Sequence, residues 1–418
     1  MSGAEHNPGG RTGADRRASA EPVYRLAIAA QHAVPYQVPL YRALHADARV
    51  EEMVFLLSRE GVDRVRHPDL ATGLAAWDLP LLDGYNHAFL ANWSWNEFSP
   101  VISRINPGLL TALPRGRYDA ALISGYSYLS SLFGVWACRL SGTKCFLRAE
   151  ADLGNPGGGF LRRFKERHLA RYLRSFDAVF YSCQANRDYW RHYGVPAEKL
   201  FFLPSSTDLP RFAALLPHKA ARRAEVRKRL GIPSDAVVMV QSAILQPRKR
   251  PEDVLRAFLA VEKDHPQAWF LVLGDGPLMA ALRAQVGRHG SRRVVFVGYL
   301  NQQSLADHLL AADFLVLASV YDPTPKVLHE AAAVGLPALV SEGVGTAGDF
   351  IQQEINGLIV KTGAVQALSA AMAVLFARAK LRRKLSSGAL AQSQIWSPQA
   401  GVEALVAALE SGAPGKNR

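Results

Sequence analysis

The strongest constraint on the fold is an alternation of short apolar segments with helical segments, which runs through the chain twice. The apolar runs Tyr24 to Ala30 and Ala236 to Ile244 predict buried strands. The first run is followed by leucines at helical spacing, Leu40 and Leu44. Strands that alternate with helices are typical of parallel sheets. Because the pattern starts again after a polar, basic run that follows Phe212, we expect two α/β domains.

The length of the chain also favours two domains. It has 418 residues, whereas one hydrophobic core rarely serves more than about 250–300 residues. In doubly wound folds ligands bind outside the carboxyl ends of the strands, so two facing Rossmann-like domains would enclose a ligand cleft. The predicted boundaries are a disordered tail at 1–20, an N-terminal domain at 21–213, a C-terminal domain at 214–390, closing helices at 391–412 and a tail at 413–418.

Composition and charge narrow the class of protein. No stretch approaches the roughly 18–20 apolar residues of a membrane span, and the polar N-terminus has no apolar core of a secretory signal. We therefore expect a cytoplasmic protein. The net charge of +13, from 49 basic and 36 acidic residues, favours a polyanion as partner: anionic lipid, nucleic acid or a phosphorylated substrate. The cysteines Cys138, Cys145 and Cys183 fit no disulfide framework and are read as small buried hydrophobes.

In the second half of the chain, three predicted strands are each followed by residues that could bind a ligand. Arg248, Lys249 and Arg250 follow one strand directly before a helix, where they suit a phosphate or a solvated basic turn. A glycine turn at Gly274 follows the next strand and allows close approach of a ligand, although such turns are also common without one. After the third strand, Tyr299 and Leu300 could present backbone groups and an apolar face to a flat base, or Tyr299 could pack in the core.

A pair of acids brackets a predicted helix start. Asp322 precedes Pro323, and Thr324 with Pro325 reads as the N-cap and the first helical residue. The first turn, 325–328, would aim its free N–H groups at an anion. Glu330 lies farther along the helix, roughly 10 Å from Asp322. Acids so placed suit hydroxyls on either side of a diphosphate; the alternative is a helix cap at Asp322 and a solvated surface residue at Glu330.

Together these segments resemble the nucleotide-sugar-binding half of family 4 glycosyltransferases of the GT-B fold, the glycosyl transferases group 1. The resemblance is densest from about Ala236 to Val360 and looser in the first half. It implies that the N-terminal domain, 21–213, binds the acceptor and that the C-terminal domain, 214–390, binds the nucleotide sugar. It implies that Lys249 binds the diphosphate of the donor and that Asp322 and Glu330 occupy the family's pair of acids, which contact the donor sugar and the ribose. It further implies a donor site with these residues: Arg248, Lys249, Gly274, Tyr299, Leu300, Asp322, Thr324, Pro325, Lys326, Val327 and Glu330.

The chain departs from the family pattern at three places. Asp322 replaces the longer glutamate. Ile244 stands where a second phosphate-binding cation usually lies, which leaves that role to Arg248 or Arg250. The triplet from Arg148 to Glu150 lies where many members have a histidine that faces the donor.

The resemblance implies a retaining hexosyltransferase, with Lys249 and Asp322 as the catalytic residues. It would transfer a hexose from a UDP-sugar or GDP-sugar to a saccharide or lipid-linked acceptor, in synthesis of cell-surface polysaccharide or glycolipid. No cofactor and no metal are expected, since the sequence has no D-x-D triplet at a strand end. The alternatives are a sugar-nucleotide epimerase of the same architecture, a non-catalytic nucleotide-sugar-binding relative and, least supported by motifs, a nucleic-acid-binding protein.

A basic segment suggests a place for the acceptor. Phe160 to Phe176 has apolar residues at helical spacing and cations between them. Such a helix could lie on an anionic membrane, which would make the protein peripheral at the inner face, or it could pack on the N-terminal sheet.

Overall fold

The computed structural model describes residues 24–63, 77–96, 99, 101–153 and 168–411. The chain divides into two compact units. The first comprises Met1–Arg64, Pro80–Pro204 and Pro398–Arg418, and the second comprises Val65–Leu79 and Ser205–Ser397. Two segments are therefore separated in sequence from the unit to which they belong. The domain boundaries given above stay predictions.

The first unit contains a parallel sheet in which the described strands follow the order β3-β2-β1-β4-β5-β6-β7. Between β1 and β4 the strand order changes direction, and such a switch point is where doubly wound folds bind ligands. The strands are β1 (Tyr24–Ala30), β2 (Val50–Leu56), β3 (His87–Phe89), β4 (Ala120–Ser124), β5 (Lys144–Arg148), β6 (Ala178–Tyr181) and β7 (Leu200–Phe202). The helices that follow them are α1 (Val38–Ala46), α2 (Leu109–Gly116), α3 (Leu129–Ser141), α4 (168–173) and α5 (Gln184–His192).

The central strands of the first unit have continuous runs of buried residues, as in 26–30 of β1 and 145–147 of β5. Leu26 and Ala30 of β1 are fully buried, as are Phe146, Phe180 and Trp190. A parallel sheet is covered by helices on both faces, so its strands are continuously apolar instead of alternating. Full burial of each large apolar side chain stabilises the fold by about 1.5–3 kcal/mol.

The second unit contains a parallel sheet with the strand order β10-β9-β8-β11-β12-β13. Its switch point lies between β8 and β11. The strands are β8 (Val237–Ser242), β9 (Ala268–Leu273), β10 (Val294–Gly298), β11 (Phe314–Leu317), β12 (Ala338–Ser341) and β13 (Gly357–Val360). The helices are α6 (Leu209–Leu215), α7 (Lys219–Arg229), α8 (Pro251–Val261), α9 (Met279–His289), α10 (Gln302–Ala311), α11 (Lys326–Ala333), α12 (Val365–Ala377) and α13 (Ala379–Ile395).

The basic run after Phe212 is a packed helix, α7, and its cations have acceptors within the second unit. Arg223 and Arg227 each form an ion pair of 2.8 Å with Asp313, and both donate to the Ala311 carbonyl at the end of α10. Asp313 also accepts a 2.7 Å hydrogen bond from the Val238 amide. Cations are favourable at a helix C-terminus, because the last carbonyls have no intrahelical donors.

The last helix, α14 (Pro398–Glu410), returns to the first unit. It packs on α1, and its end is held by Lys144, whose ammonium donates to the Leu409 carbonyl at 2.7 Å. Arg49 is paired with Glu403 of α14 at 2.6 Å. The last helix of the chain thus packs on the unit that is formed mainly by the first half of the sequence, and the closing helices at 391–412 stay a prediction.

Some predictions concern residues that the structure leaves undescribed. The tails at 1–20 and 413–418 and the part of the basic segment from 160 to 167 lie outside the described residues. Within the described ranges, no helix is long and apolar enough to cross a membrane.

Candidate functional site

The predicted site residues of the second unit follow the carboxyl ends of adjacent strands. Lys249 comes after β8, Gly274 after β9, Tyr299 after β10 and Asp322 after β11. Since the carboxyl ends of parallel strands meet at one edge, the loops that carry these residues lie along that edge. Lys249 and Asp322 flank the switch point between β8 and β11.

Lys249 and Asp322 form a buried ion pair. The Lys249 ammonium donates to the Asp322 carboxylate, and the two side chains are 12% and 10% exposed. Burial lowers the pKa of Lys249, and Asp322 and its hydrogen bond oppose that effect. The adjoining loops are also joined by their backbones, since the Val320 amide donates to the Arg248 carbonyl at 2.9 Å. The pair therefore has a fixed position beside the switch point.

The two neighbouring arginines differ in their partners. Arg250 is the N-cap of α8 with a left-handed φ of 48°, and its guanidinium pairs with Asp253 inside the first turn of that helix. Arg248 is exposed and donates to the Tyr321 carbonyl at 3.1 Å, on the loop that carries Asp322. Of the two, Arg248 is thus the cation on the Asp322 side.

Helix α11 begins one residue later than the sequence predicts. It starts at Lys326 with Pro325 as its N-cap, so Thr324 as N-cap and Pro325 as first helical residue were wrong. The reason is the backbone of Pro325, whose ψ of 116° is extended although its φ of −66° suits a helix. Thr324 is buried, and its hydroxyl has no hydrogen-bond partner among the described residues. Val327 is buried within the first turn.

Glu330 lies on α11 as a buried carboxyl, so its reading as a solvated surface residue was wrong. It is 7% exposed. Burial raises its pKa to about 7, against the opposing effects of Arg211, a hydrogen bond from Gln302 and Lys326. Lys326 itself donates to the Ser205 hydroxyl at 2.6 Å.

A cavity of about 180 Å³ lies at the carboxyl ends of β8, β9 and β10. Tyr299 lines this cavity and is 37% exposed, so it is not a core residue. Gly274 lies opposite with a φ of +125°, and a Cβ there would come within 2.0 Å of the Ala243 carbonyl oxygen. The wall is formed by Trp77, Ser242, Ala243, Ile244, Leu273, Gly274, Asp275, Tyr299, Leu300, Gln302 and Leu305.

Gln302 connects this cavity to Glu330. Its side chain lines the cavity and also donates the hydrogen bond that Glu330 accepts. The structure thus brings the predicted residues together in two groups, one at the β8–β11 switch point and one around the cavity, and Gln302 joins the second group to α11.

Sequence reasoning missed Trp77. The adjacent Asp78 accepts from the Gln303 amide at 3.1 Å, and its carbonyl accepts from the Gln303 side chain at 2.6 Å. Asp78 therefore caps the start of α10 and holds Trp77 against the cavity. No local signal in the sequence reveals this position, because the segment precedes the rest of the second unit by more than one hundred residues.

The glycines at Gly343 and Gly345 serve packing of the chain. A Cβ at Gly345 would lie 2.5 Å from the Pro323 carbonyl oxygen, and one at Gly343 would lie 2.3 Å from that of Val320. The Gly345 amide donates to the Asp322 carbonyl at 2.9 Å. These contacts fix the backbone of the loop that carries Asp322.

In the described part of the chain, no group of three His, Cys, Asp or Glu side chains could hold a metal ion. The expectation of a metal-independent reaction stays a prediction.

Comparison with known proteins gives a family match for the second unit. Residues 222–392, which carry the ion pair, α11 and most of the cavity wall, match the family model described as glycosyl transferases group 1. The resemblance found in the sequence is confirmed, and so is the GT-B fold.

Relatives and a solved structure agree with this assignment. The D-inositol 3-phosphate glycosyltransferase of Geodermatophilus obscurus is 28% identical over 232 residues, which cover 53% of this chain and 49% of the relative. The UDP-Gal:alpha-D-GlcNAc-diphosphoundecaprenol alpha-1,3-galactosyltransferase of Escherichia coli is 24% identical over 264 residues, 60% of this chain and 65% of the relative. Anabaena HepE, solved with UDP and glucose, has a TM-score of 0.65 at 17% identity and covers 93% of this chain and 100% of its own.

These matches cover only part of the curated relatives. The chain spans about half to two thirds of the length of these two curated relatives. The likeness to HepE shows the fold.

Proposed function

We propose that the protein is a retaining hexosyltransferase that transfers a hexose from a UDP-sugar to a saccharide or lipid-linked acceptor. The observation that carries this proposal is the buried Lys249–Asp322 pair at the switch point of the second unit. A cation held there by a carboxylate suits an anion that competes for it, such as a diphosphate. UDP is favoured over GDP because HepE was solved with UDP and the Escherichia coli relative is named for UDP-Gal.

The donor would use both groups of residues. In the proposed pose the base occupies the cavity beside Trp77 and Tyr299. The ribose lies next to Gln302, which both lines the cavity and donates a hydrogen bond to Glu330, so that its hydroxyls approach the Glu330 carboxyl. The diphosphate lies at Lys249 and at the amino end of α11. The donor hexose then lies at Asp322, whose carboxylate accepts hydrogen bonds from sugar hydroxyls.

The chemical step breaks the bond between the anomeric carbon and the diphosphate oxygen, and the acceptor hydroxyl forms the new bond to that carbon. The leaving diphosphate gains negative charge, and the acceptor proton leaves to that oxygen. Lys249 and the amino end of α11 stabilise the developing charge. Stabilisation of this kind by preorganised charges and dipoles is usually the largest single contribution to catalysis. Attack on the face that the diphosphate leaves retains the anomeric configuration.

We place the reaction at the inner face of the membrane, in synthesis of a surface polysaccharide or glycolipid. This is supported by the diphosphoundecaprenol acceptor for which the Escherichia coli relative is named and by the net charge of +13, which favours anionic lipid. Trp93 and Trp95 of the first unit are 68% and 78% exposed, and tryptophan is enriched at membrane interfaces. Sedimentation with vesicles that contain anionic lipid, against neutral vesicles, tests this part: equal binding to both contradicts it.

A thermal-shift panel of UDP, GDP and ADP sugars tests the proposal, because a ligand stabilises the state that binds it. We expect the largest rise in Tm with a UDP-hexose. No rise with any nucleotide sugar would contradict the proposed function. Epimerisation of the UDP-hexose without an acceptor would instead support the epimerase alternative.

A further inference from the structure

A second cavity lies in the first unit, at the switch point of its sheet. It has a volume of about 300 Å³, which is at the lower end for small-molecule sites. Its walls come from the carboxyl ends of the adjacent strands β1, β4 and β5, the place where a doubly wound sheet binds ligands. The polar side chains that line it include Gln31, Tyr36, Gln37, Ser127, Arg148 and Glu150.

Arg148 supplies a cation to this cavity. It ends β5 directly after the fully buried residues Phe146 and Leu147. Its side chain makes no hydrogen bond or ion pair with another described residue. Burial lowers its pKa, and the nearby charge of Glu150 opposes that effect. The residue is half-buried, so the five donors of its guanidinium can meet an anion that enters the cavity.

The other polar groups suit hydroxyls. Gln37 lines the cavity and accepts a 3.0 Å hydrogen bond from the Tyr41 hydroxyl through its carbonyl oxygen. Gln31 donates to the Ser124 carbonyl at 3.2 Å and is held in position by it. Tyr36, whose pKa is raised by burial and by Glu150, stays a neutral hydroxyl. The cavity thus combines one cation with amide, hydroxyl and carboxylate groups. The cation suits a single anionic group of a saccharide, and the other groups suit its hydroxyls.

The resemblance to the family implies that the first unit binds the acceptor. Within that assignment we propose that Arg148 makes this cavity select acceptors with an anionic group, a carboxylate or a phosphate, beside their sugar hydroxyls. The guanidinium matches both groups with two parallel hydrogen bonds, which an ammonium does not. The identity of the ligand as an acceptor rests on the proposed transferase function, whereas the anion preference of the cavity is tested independently of it.

The test measures binding of three probes of equal ring size by saturation-transfer NMR, with the protein saturated with UDP so that the donor site is occupied. The probes are glucuronate, glucose 6-phosphate and glucose. We expect at least one anionic probe to bind about tenfold more tightly than glucose, the factor that a charge-assisted hydrogen bond provides. The anionic probe that binds more tightly identifies the source of the charge, carboxylate or phosphate.

Three variants assign the preference. Arg148→Gln should remove it, and Arg148→Lys should retain only part of it. Arg139→Gln, an equal charge change on the exposed face of α3 in the same unit, should leave it unchanged. Equal binding of all three probes to the wild type overturns the proposal, and so does an unchanged preference in Arg148→Gln.

Two further measurements exclude other roles for Arg148. The Tm of Arg148→Gln should equal or exceed that of the wild type, because the guanidinium lacks an acceptor; a lower Tm assigns Arg148 a structural role and overturns the proposal. UDP should bind Arg148→Gln as it binds the wild type. Weaker UDP binding in that variant assigns Arg148 to the donor and also overturns it. If the wild type binds no UDP, the donor assignment fails, and the same titrations without UDP still decide the anion preference.

Discussion

The Lys249 ammonium donates to the Asp322 carboxylate between the loops that follow β8 and β11, the two strands at the switch point of the second sheet. The pair joins the two residues that the sequence assigned to the diphosphate and to the donor sugar. In the proposed donor pose the diphosphate competes with Asp322 for the Lys249 ammonium.

This competition predicts opposite effects on binding and turnover in Asp322→Asn. Removal of the carboxylate charge frees Lys249 and removes repulsion, so UDP should bind about tenfold more tightly. Turnover of the UDP-sugar should fall by about 10²-fold, because the contact to the sugar is lost. Calorimetry with UDP and steady-state kinetics measure the two effects, and weaker UDP binding in this variant would contradict the competition.

The buried carboxyl of Glu330 predicts a pH-dependent stability. Its pKa is raised from 4.5 to about 7, so the folded protein holds a proton that the unfolded chain releases between these values. The stabilisation is complete below pH 4.5 and is lost as pH rises through about 7, by on the order of 3 kcal/mol. The Tm of Glu330→Gln relative to the wild type should therefore rise across this range.

Glu342→Gln is the matched control, because Glu342 is an exposed acid of the same unit. Its Tm difference from the wild type should not change over the same pH range. A constant Tm difference for Glu330→Gln as well would show that Glu330 does not titrate in this window.

Trp77 predicts a contribution to nucleotide affinity from outside the group 1 match. Stacking of a base on an aromatic side chain is worth about 1–3 kcal/mol by alanine substitution, so Trp77→Ala should raise the Kd for UDP by about 5-fold to 150-fold. Trp77→Phe should retain most of the affinity, because its ring can still stack on a base. Trp93→Ala, at an exposed tryptophan of the first unit, should bind UDP normally; normal binding by Trp77→Ala would remove Trp77 from the site.

The ion pairs of Asp313 predict a stability effect without an effect on nucleotide binding. Asp313→Asn leaves Arg227, which is 2% exposed, without its charged partner. Loss of one partner of a buried pair costs about 3–5 kcal/mol, so the Tm should fall clearly. UDP affinity at a temperature where the variant is folded should be unchanged, since Asp313 precedes β11 at the amino end of the sheet. A Tm equal to that of the wild type would contradict the role given to this pair.

The sequence predicted most of the strands, because buried parallel strands are continuously apolar. It also predicted which strands are followed by candidate site residues, because each of these residues comes soon after the end of a strand. It also singled out Lys249, Asp322 and Glu330, from their positions after strands and from the resemblance to the family, and their roles stay predictions. Helix α7 was not predicted as a helix: the sequence showed only a polar, basic run, whose charges pair with Asp313 and with the end of α10. Long-range pairing of this kind has no local signature.

The site itself was predicted less completely than the fold. The ion pair between Lys249 and Asp322 spans two loops, and Trp77 reaches the cavity through Asp78, so both depend on contacts between residues far apart in sequence. The start of α11 was misplaced because proline fixes φ and leaves ψ open, and the extended ψ of Pro325 delays the helix by one residue. The burial of Glu330 likewise depends on the elements packed around α11.

The most direct test of the account is calorimetric titration of UDP and of uridine into the wild type, Lys249→Ala and Lys380→Ala. Lys380 is an exposed lysine of α13 in the same unit and serves as the charge-matched control. The account predicts that Lys249→Ala binds UDP about tenfold or more weakly and binds uridine as the wild type does, because only the diphosphate contacts Lys249. UDP affinity that is equal in all three proteins would contradict the assignment of the diphosphate to Lys249.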